Sequence, residues 1–136
     1  MKKAVLVAFL LAASASAIAA DGTMTAVQIA DRVDQSKQEA WVASENLKNH
    51  MADTLQRQGS NEWANACIEY GMLLRKSAAD RVFDADLILS AITNNEEAPT
   101  LTQRYSASLI YLSAKNDLSR AIQDVDKCFS AGGPFK

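Results

Sequence analysis

The residues that interrupt helices occupy few positions in this chain and divide it into three long tracts. The 136-residue sequence contains two prolines and five glycines. They are Pro99 and Pro134, with glycines at positions 22, 59, 71, 132 and 133. Gly71 alone stands inside a tract. No tract shows the alternation of apolar and polar residues that is typical of a half-buried strand. The chain is therefore expected to fold as long helices.

Each tract carries apolar residues at helical spacing. In the first tract, about Thr25 to Gln58, they are Ala26, Ala30, Val33, Ala40, Leu47, Met51 and Leu55. In the second, which starts at Ser60 or Asn61, they are Trp63, Cys67, Tyr70, Leu74, Ala78, Val82, Ala85, Leu89 and Ile92. In the third they are Leu101, Tyr105, Leu109, Leu112, Leu118, Ile122, Val125 and Phe129. Such spacing lines one side of an α-helix, so we predict three amphipathic helices.

Local signals place the ends of these helices. Gly59 is suited to end the first helix, and Ser60 or Asn61 to cap the second. The polar segment from Asn94 to Pro99 predicts a loop, since proline disfavours helix at the residue before it. Thr100 and Gln103 form a capping-box pattern that starts the third helix.

Short turns between long helices require neighbouring helices to run in opposite directions. The fold predicted is all-α, an elongated antiparallel three-helix bundle, with each helix about 45 to 50 Å long at 1.5 Å per residue. The alternative is a four-helix bundle, produced by a break in the second tract. Gly71 and the polar stretch around Asp84 and Asp86 are the positions at which that break is expected.

The two cysteines test this topology. If the second and third helices fold back about residue 97, facing residues have numbers that sum to roughly 194. The numbers of Cys67 and Cys128 sum to 195. Both thiols also lie on the apolar sides of their helices, so a structural disulfide is predicted in an oxidising compartment. A redox pair or a thiolate metal site is the alternative, but such sites usually need closer cysteines or further ligands.

The N-terminus has the order of a secretory signal peptide. Lys2 and Lys3 precede an apolar run from Ala4 to Ala13, and small residues follow up to Ala20. We expect residues 1–20 to be removed, by cleavage after Ala19 or Ala20, and residues 21–136 to form one helical domain. The apolar run is too short to span a bilayer. A periplasmic or secreted protein without a stable membrane anchor is the expectation.

The charge balance bears on partners. The sequence has 14 basic and 16 acidic residues, and loss of Lys2 and Lys3 leaves 12 against 16, a net charge of −4. Nucleic acid binding requires clustered Lys and Arg, which this sequence lacks. Nucleic acid is therefore not expected as a partner.

Candidate chemical groups are few. His50 is the only histidine, and no nucleophile motif accompanies it. A non-covalent haem between helices could pair it with Met72. Asp80, Asp84 and Asp86 form the densest carboxylate group, but the loop of a calcium site is missing, and pairing with Arg75 and Arg81 along the helix is favoured. We expect no enzyme activity, no metal and no bound cofactor.

Aromatic residues supply the strongest binding signal. Lys37, Ser44 and Gln58 interrupt the apolar side of the first helix, which is therefore expected to bury less than the other two. Trp41, Trp63, Tyr70 and Tyr111 are the predicted partner-binding residues, because aromatic groups on a partly exposed seam favour protein interfaces. The alternative is that these aromatics belong to a core that wraps several sides of each helix. A second copy of the chain is a candidate to cover the first helix.

The function predicted from these features is non-catalytic protein binding outside the cytoplasm. Small inhibitors, toxin-immunity proteins and envelope chaperones are proteins of this kind. The alternative is a carrier of a small ligand or haem built on the same bundle. An enzyme is the least favoured class.

Overall fold

The protein is a bundle of three long helices, seen in a computed structural model that describes residues 24–94 and 99–132, with side chains at 91–94 excepted. The helices are α1 (Ala26–Gln58), α2 (Glu62–Asn94) and α3 (Leu101–Ala131). No strand occurs in the described ranges. The predicted three-helix bundle is confirmed. The signal peptide at residues 1–20 and most of the predicted loop after Asn94 lie outside the described residues.

Capping residues fix where the three helices begin. Thr100 accepts a hydrogen bond from the Gln103 backbone and donates its own backbone N–H to the Gln103 side chain, so the predicted capping box is present. Thr25 and Gln28 make the same arrangement at α1. Asn61 Oδ1 accepts from the Ala64 N–H at 2.8 Å and caps α2.

The helix α2 is continuous through both positions at which a break was considered. Gly71 is buried in this helix, and Asp84 and Asp86 stand within its last turns. The four-helix alternative is therefore wrong. Gly71 serves close packing instead of a turn, because a Cβ added there would lie 2.8 Å from Val125 Cγ2 and closer still to Met51 Sδ.

The helix α3 is central to the packing. It contacts both other helices closely, whereas α1 and α2 contact each other much less. Its buried side is lined by Ala107, Tyr111, Ala114, Leu118, Ala121, Val125 and Cys128, at alternating spacings of four and three. Small residues also line the buried side of α2, at Ala64, Gly71, Ala78 and Ala85. Small side chains allow the helix axes to approach closely.

One end of the bundle is covalently closed. Cys67 and Cys128 form a disulfide with their Cα atoms 5.7 Å apart, as predicted. Arg81–Ser113 and Asp86–Tyr111 are further contacts between α2 and α3, and they follow nearly the same antiparallel register. A disulfide is consistent with an oxidising, exported compartment.

Candidate functional site

Large apolar side chains are exposed mainly on α2 and secondarily on α1. On α2 they are Tyr70, Met72, Leu73, Phe83 and Leu87, and on α1 they are Val27, Trp41 and Val42. The expectation that α1 buries the least is therefore wrong. The helix α1 packs well against α3, and the polar residues that interrupt its apolar side serve as contacts to α2 (Lys37 and Ser44) or lie exposed at the end of the helix (Gln58).

Trp41 lies on the side of α1 that points toward α2. Lys37, Trp41 and Glu45 are spaced four residues apart and share one face of the helix. Lys37 Nζ pairs with Asp86 at 3.1 Å, and Glu45 pairs with Arg75 Nη2 at 3.1 Å. Trp41 thus stands between two ion pairs that cross the α1–α2 seam.

The indole of Trp41 is nevertheless left uncovered, at 60% exposure. By the antiparallel register of the two ion pairs, Trp41 is level with residues 79–82 of α2. In this range Ala79 is exposed and offers only a methyl group, and Val82 is partly buried against the core cluster that contains Val33. Tryptophan is enriched among the residues that contribute most to protein interfaces.

The other predicted partner-binding residues occupy three different environments. Tyr70 is exposed at 37%, on the surface of α2. Trp63 is half-buried and packs edge-on against Phe129, with ring centroids 5.6 Å apart, beside the disulfide. Tyr111 is fully buried. Its ring was expected on an incompletely covered face and is instead part of the core, because the apolar side of α3 centres on residues 107, 111 and 114.

A polar network anchors Tyr111 within the core. Its hydroxyl donates a hydrogen bond to Asp86 Oδ1 at 2.5 Å. Asp86 Oδ1 also forms the ion pair with Lys37. Burial raises the pKa of the Tyr111 phenol, and the hydrogen bond and negative charge of Asp86 raise it further. The network joins all three helices, so its role is to align them.

The charged residues of α2 contact neighbouring helices more than was expected. Arg75 Nε donates to the backbone oxygen of Ser44 at 3.1 Å and to its hydroxyl at 2.9 Å. Arg81 pairs with Asp117 of α3 at 2.6 Å. Asp80 was predicted to pair with an arginine of the same helix. In the structure it pairs with Lys76 instead. The sequence alone could not identify the partners of these two arginines, because those partners lie 30 or more residues away along the chain.

His50 and Met72 do not face one another. His50 Nε2 is 2.7 Å from Asp126 Oδ1 on α3, and Met72 is exposed on α2. Within residues 24–94 and 99–132, no three His, Cys, Asp or Glu side chains lie close enough together to hold a metal ion. Among the described helices, none combines the length and apolar character that crossing a bilayer requires.

Comparisons with protein family models, with curated proteins and with solved structures gave no match to this chain.

Proposed function

We propose that this protein is an exported, non-catalytic module that binds another protein through Trp41. The observation that carries the proposal is the 60% exposure of this indole between the Lys37–Asp86 and Arg75–Glu45 ion pairs. An exposed tryptophan on a rigid helix loses little conformational entropy on binding, so it contributes much of its burial energy to association. The partner is a protein with an apolar pocket for the indole and a polar rim.

Export to the periplasm, or secretion, is part of this proposal. The order of residues 1–20 supports it, and so does the Cys67–Cys128 disulfide, which is stable under oxidising conditions. The intact mass of the protein isolated from its own host tests this point. The expected mass is that of a chain that begins after Ala19 or Ala20 and has lost two hydrogens to the disulfide. Retention of residues 1–20, or free thiols, would contradict the proposal.

The non-catalytic part of the proposal rests on how the polar side chains are used. His50 is engaged by Asp126, and the Asp86 carboxylate is shared by Lys37 and Tyr111. Arg75 and Arg81 bridge helices. These groups stabilise contacts between helices, a role that fits a binding scaffold.

Site-specific photo-cross-linking tests the binding surface. A photoreactive phenylalanine analogue replaces Trp41 in the full chain, expressed in its natural host, and the matched control places it at Gln123, exposed on α3. An adduct with a different polypeptide is expected at position 41 and not at 123. That polypeptide is then purified and titrated with the wild-type protein and with Trp41→Ala.

Loss of the tryptophan should raise the Kd about 30-fold, the effect of an interface hot spot of about 2 kcal/mol. Equal cross-linking at both positions, or an unchanged Kd for Trp41→Ala, would show that this side of α1 does not bind the partner.

A further inference from the structure

The outward side of α2 carries a second apolar pattern, which the three-helix core does not use. Leu73, Phe83 and Leu87 are 66, 59 and 47% exposed, and Lys76 and Asp80 lie between them. These five residues are called the α2 outer seam. Their spacings alternate between three and four residues, which is the spacing of the contact side of a coiled-coil helix. The pattern suits packing against another helix.

The α2 outer seam lies directly opposite the buried side of the same helix. Ala64, Gly71, Ala78 and Ala85 mark the buried side. With 3.6 residues per turn, the centre of the seam and the centre of the buried side are about 180° apart around the helix axis. A helix that packs on the seam would therefore meet neither α1 nor α3. The seam is free to pair with a separate molecule.

The order of charges on the seam makes it complementary to itself. From Leu73 to Phe83 the four seam residues are apolar, positive, negative and apolar. If two copies of α2 pack antiparallel about a two-fold axis, Leu73 faces Phe83 of the second copy, and Lys76 faces Asp80 of the second copy. The Lys76–Asp80 ion pair therefore forms twice, because the two-fold axis repeats every contact. At each end of this contact Leu87 faces the exposed Glu69 of the second copy.

The charges also select one register. Sliding the second helix by seven residues keeps the apolar spacing, but it places Asp80 against Phe83 of the second copy and Lys76 against Leu87. Each charge then faces an apolar group and keeps only its partner in its own chain, so the ion pairs between the two copies are lost. A polar pair in an otherwise apolar seam commonly fixes register in this way.

We propose that the α2 outer seam is the interface of a homodimer, in which the α2 helices of two copies pack antiparallel and exchange Lys76–Asp80 ion pairs. In the single chain Lys76 Nζ is 3.2 Å from its own Asp80, so both charged groups already point along the seam. This dimer does not depend on partner binding by Trp41, which lies on a different helix.

Sedimentation velocity of the disulfide-bonded mature protein, over a micromolar to millimolar concentration series, tests the dimer. The wild-type protein should show a reversible dimer, and Leu73→Glu should shift it to monomer. The control is Leu109→Glu, at a leucine on α3 that is 39% exposed, which should leave the dimer intact. Circular dichroism confirms that each variant is folded. A wild-type monomer throughout the series would overturn the proposal.

Charge variants test the antiparallel register. Lys76→Asp and Asp80→Lys each place like charges opposite one another at both symmetric contacts, so each should raise the dimer Kd at least about tenfold. The double variant Lys76→Asp/Asp80→Lys reverses both charges and should restore the dimer. An equal mixture of the two single variants should form the heterodimer. If the double variant dimerises no better than the single ones, the proposed register is wrong.

Discussion

The hydroxyl of Tyr111 donates a 2.5 Å hydrogen bond to Asp86 across the interface between α2 and α3. Asp86 also pairs with Lys37 of α1, so a single carboxylate contacts side chains from both other helices. The carboxylate is partly exposed, whereas the Tyr111 ring is fully buried. This contact therefore sets the relative height of the three helices from a point at the edge of the core.

Replacing Tyr111 with phenylalanine should lower the free energy of unfolding by about 1 kcal/mol at neutral pH. The ring volume is kept and the hydrogen bond to Asp86 is lost, an effect of this size for a bond to a partly solvated acceptor. Urea denaturation followed by circular dichroism measures it. A loss of several kcal/mol would mean that the ring, and not only the hydroxyl, is disturbed.

The same variant should behave differently at alkaline pH. The pKa of the Tyr111 phenol is raised in the folded protein, so between about pH 10, where an unfolded tyrosine ionises, and the higher folded pKa, the unfolded state binds fewer protons. The contribution of Tyr111 to stability is complete below pH 10 and declines above it, by about 1.4 kcal/mol per pH unit.

Tyr111→Phe lacks this decline. Urea titrations at pH 8 and at pH 11 measure the free energy of unfolding. At pH 8 the wild-type protein should be more stable than Tyr111→Phe, and at pH 11 it should be equally stable or less stable. A stability difference that does not change between these pH values would contradict the raised pKa.

The antiparallel register of α2 and α3 was predictable because it depends on chain length and turn position. A turn near residue 97 already places Cys67 level with Cys128, and Thr100 with Gln103 marks the start of α3 by local hydrogen bonding. These features depend on residues that are close in sequence or on simple geometry, and both are visible without the fold.

The composition of the core was less predictable. The sequence pattern favoured Leu101 and Leu109 on α3, yet both are exposed, and Ala107, Tyr111 and Ala114 are buried in their place. Small side chains contribute little to an apolar pattern, but they permit close approach of the helices. The orientation of Trp41 toward α2 follows from ion pairs between helices, whose partners no local pattern identifies.

Gly71→Ala should destabilise the protein by about 1 to 3 kcal/mol, the usual effect of overpacking. Helix propensity alone predicts the opposite sign, a gain of about 1 kcal/mol. The new methyl group would overlap Met51, whose flexible side chain can move, and Val125, whose β-branched side chain has little freedom in a helix. Thermal or urea denaturation gives the sign, and a stabilised variant would show that the helices separate at no cost.

The double variant Gly71→Ala/Val125→Ala identifies the cause. Val125→Ala alone creates a cavity and destabilises, but in the double variant the alanine methyl group at position 71 occupies part of that space. The two effects should therefore be less than additive by at least about 0.5 kcal/mol. Additive effects would place the strain at Met51 instead.

The two tryptophans should respond differently to truncation. Trp41→Ala should change the free energy of unfolding by no more than about 0.5 kcal/mol, since it removes an exposed side chain. Trp63→Ala removes the edge-on contact with Phe129 and other packing against the core cluster that contains Cys67 and Cys128, so a loss of about 2 kcal/mol is expected. Chemical denaturation of both variants measures the difference. Equal losses would assign Trp41 to the core.

Reduction of the Cys67–Cys128 disulfide should lower stability by up to about 4 kcal/mol. The bridge joins residues 61 positions apart, and a cross-link of this span restricts the unfolded chain by about that amount in the loop-entropy model. Core residues away from the disulfide, such as Val33, Ala85 and Tyr111, also hold the helices together, so the reduced protein should stay folded at 25 °C with a lower Tm. Thermal unfolding with and without reductant measures the shift, and Cys67→Ala/Cys128→Ala is the control that reductant should not affect. An unchanged wild-type Tm would mean that the disulfide does not restrict the unfolded chain, because Cys67 and Cys128 already lie close together in it.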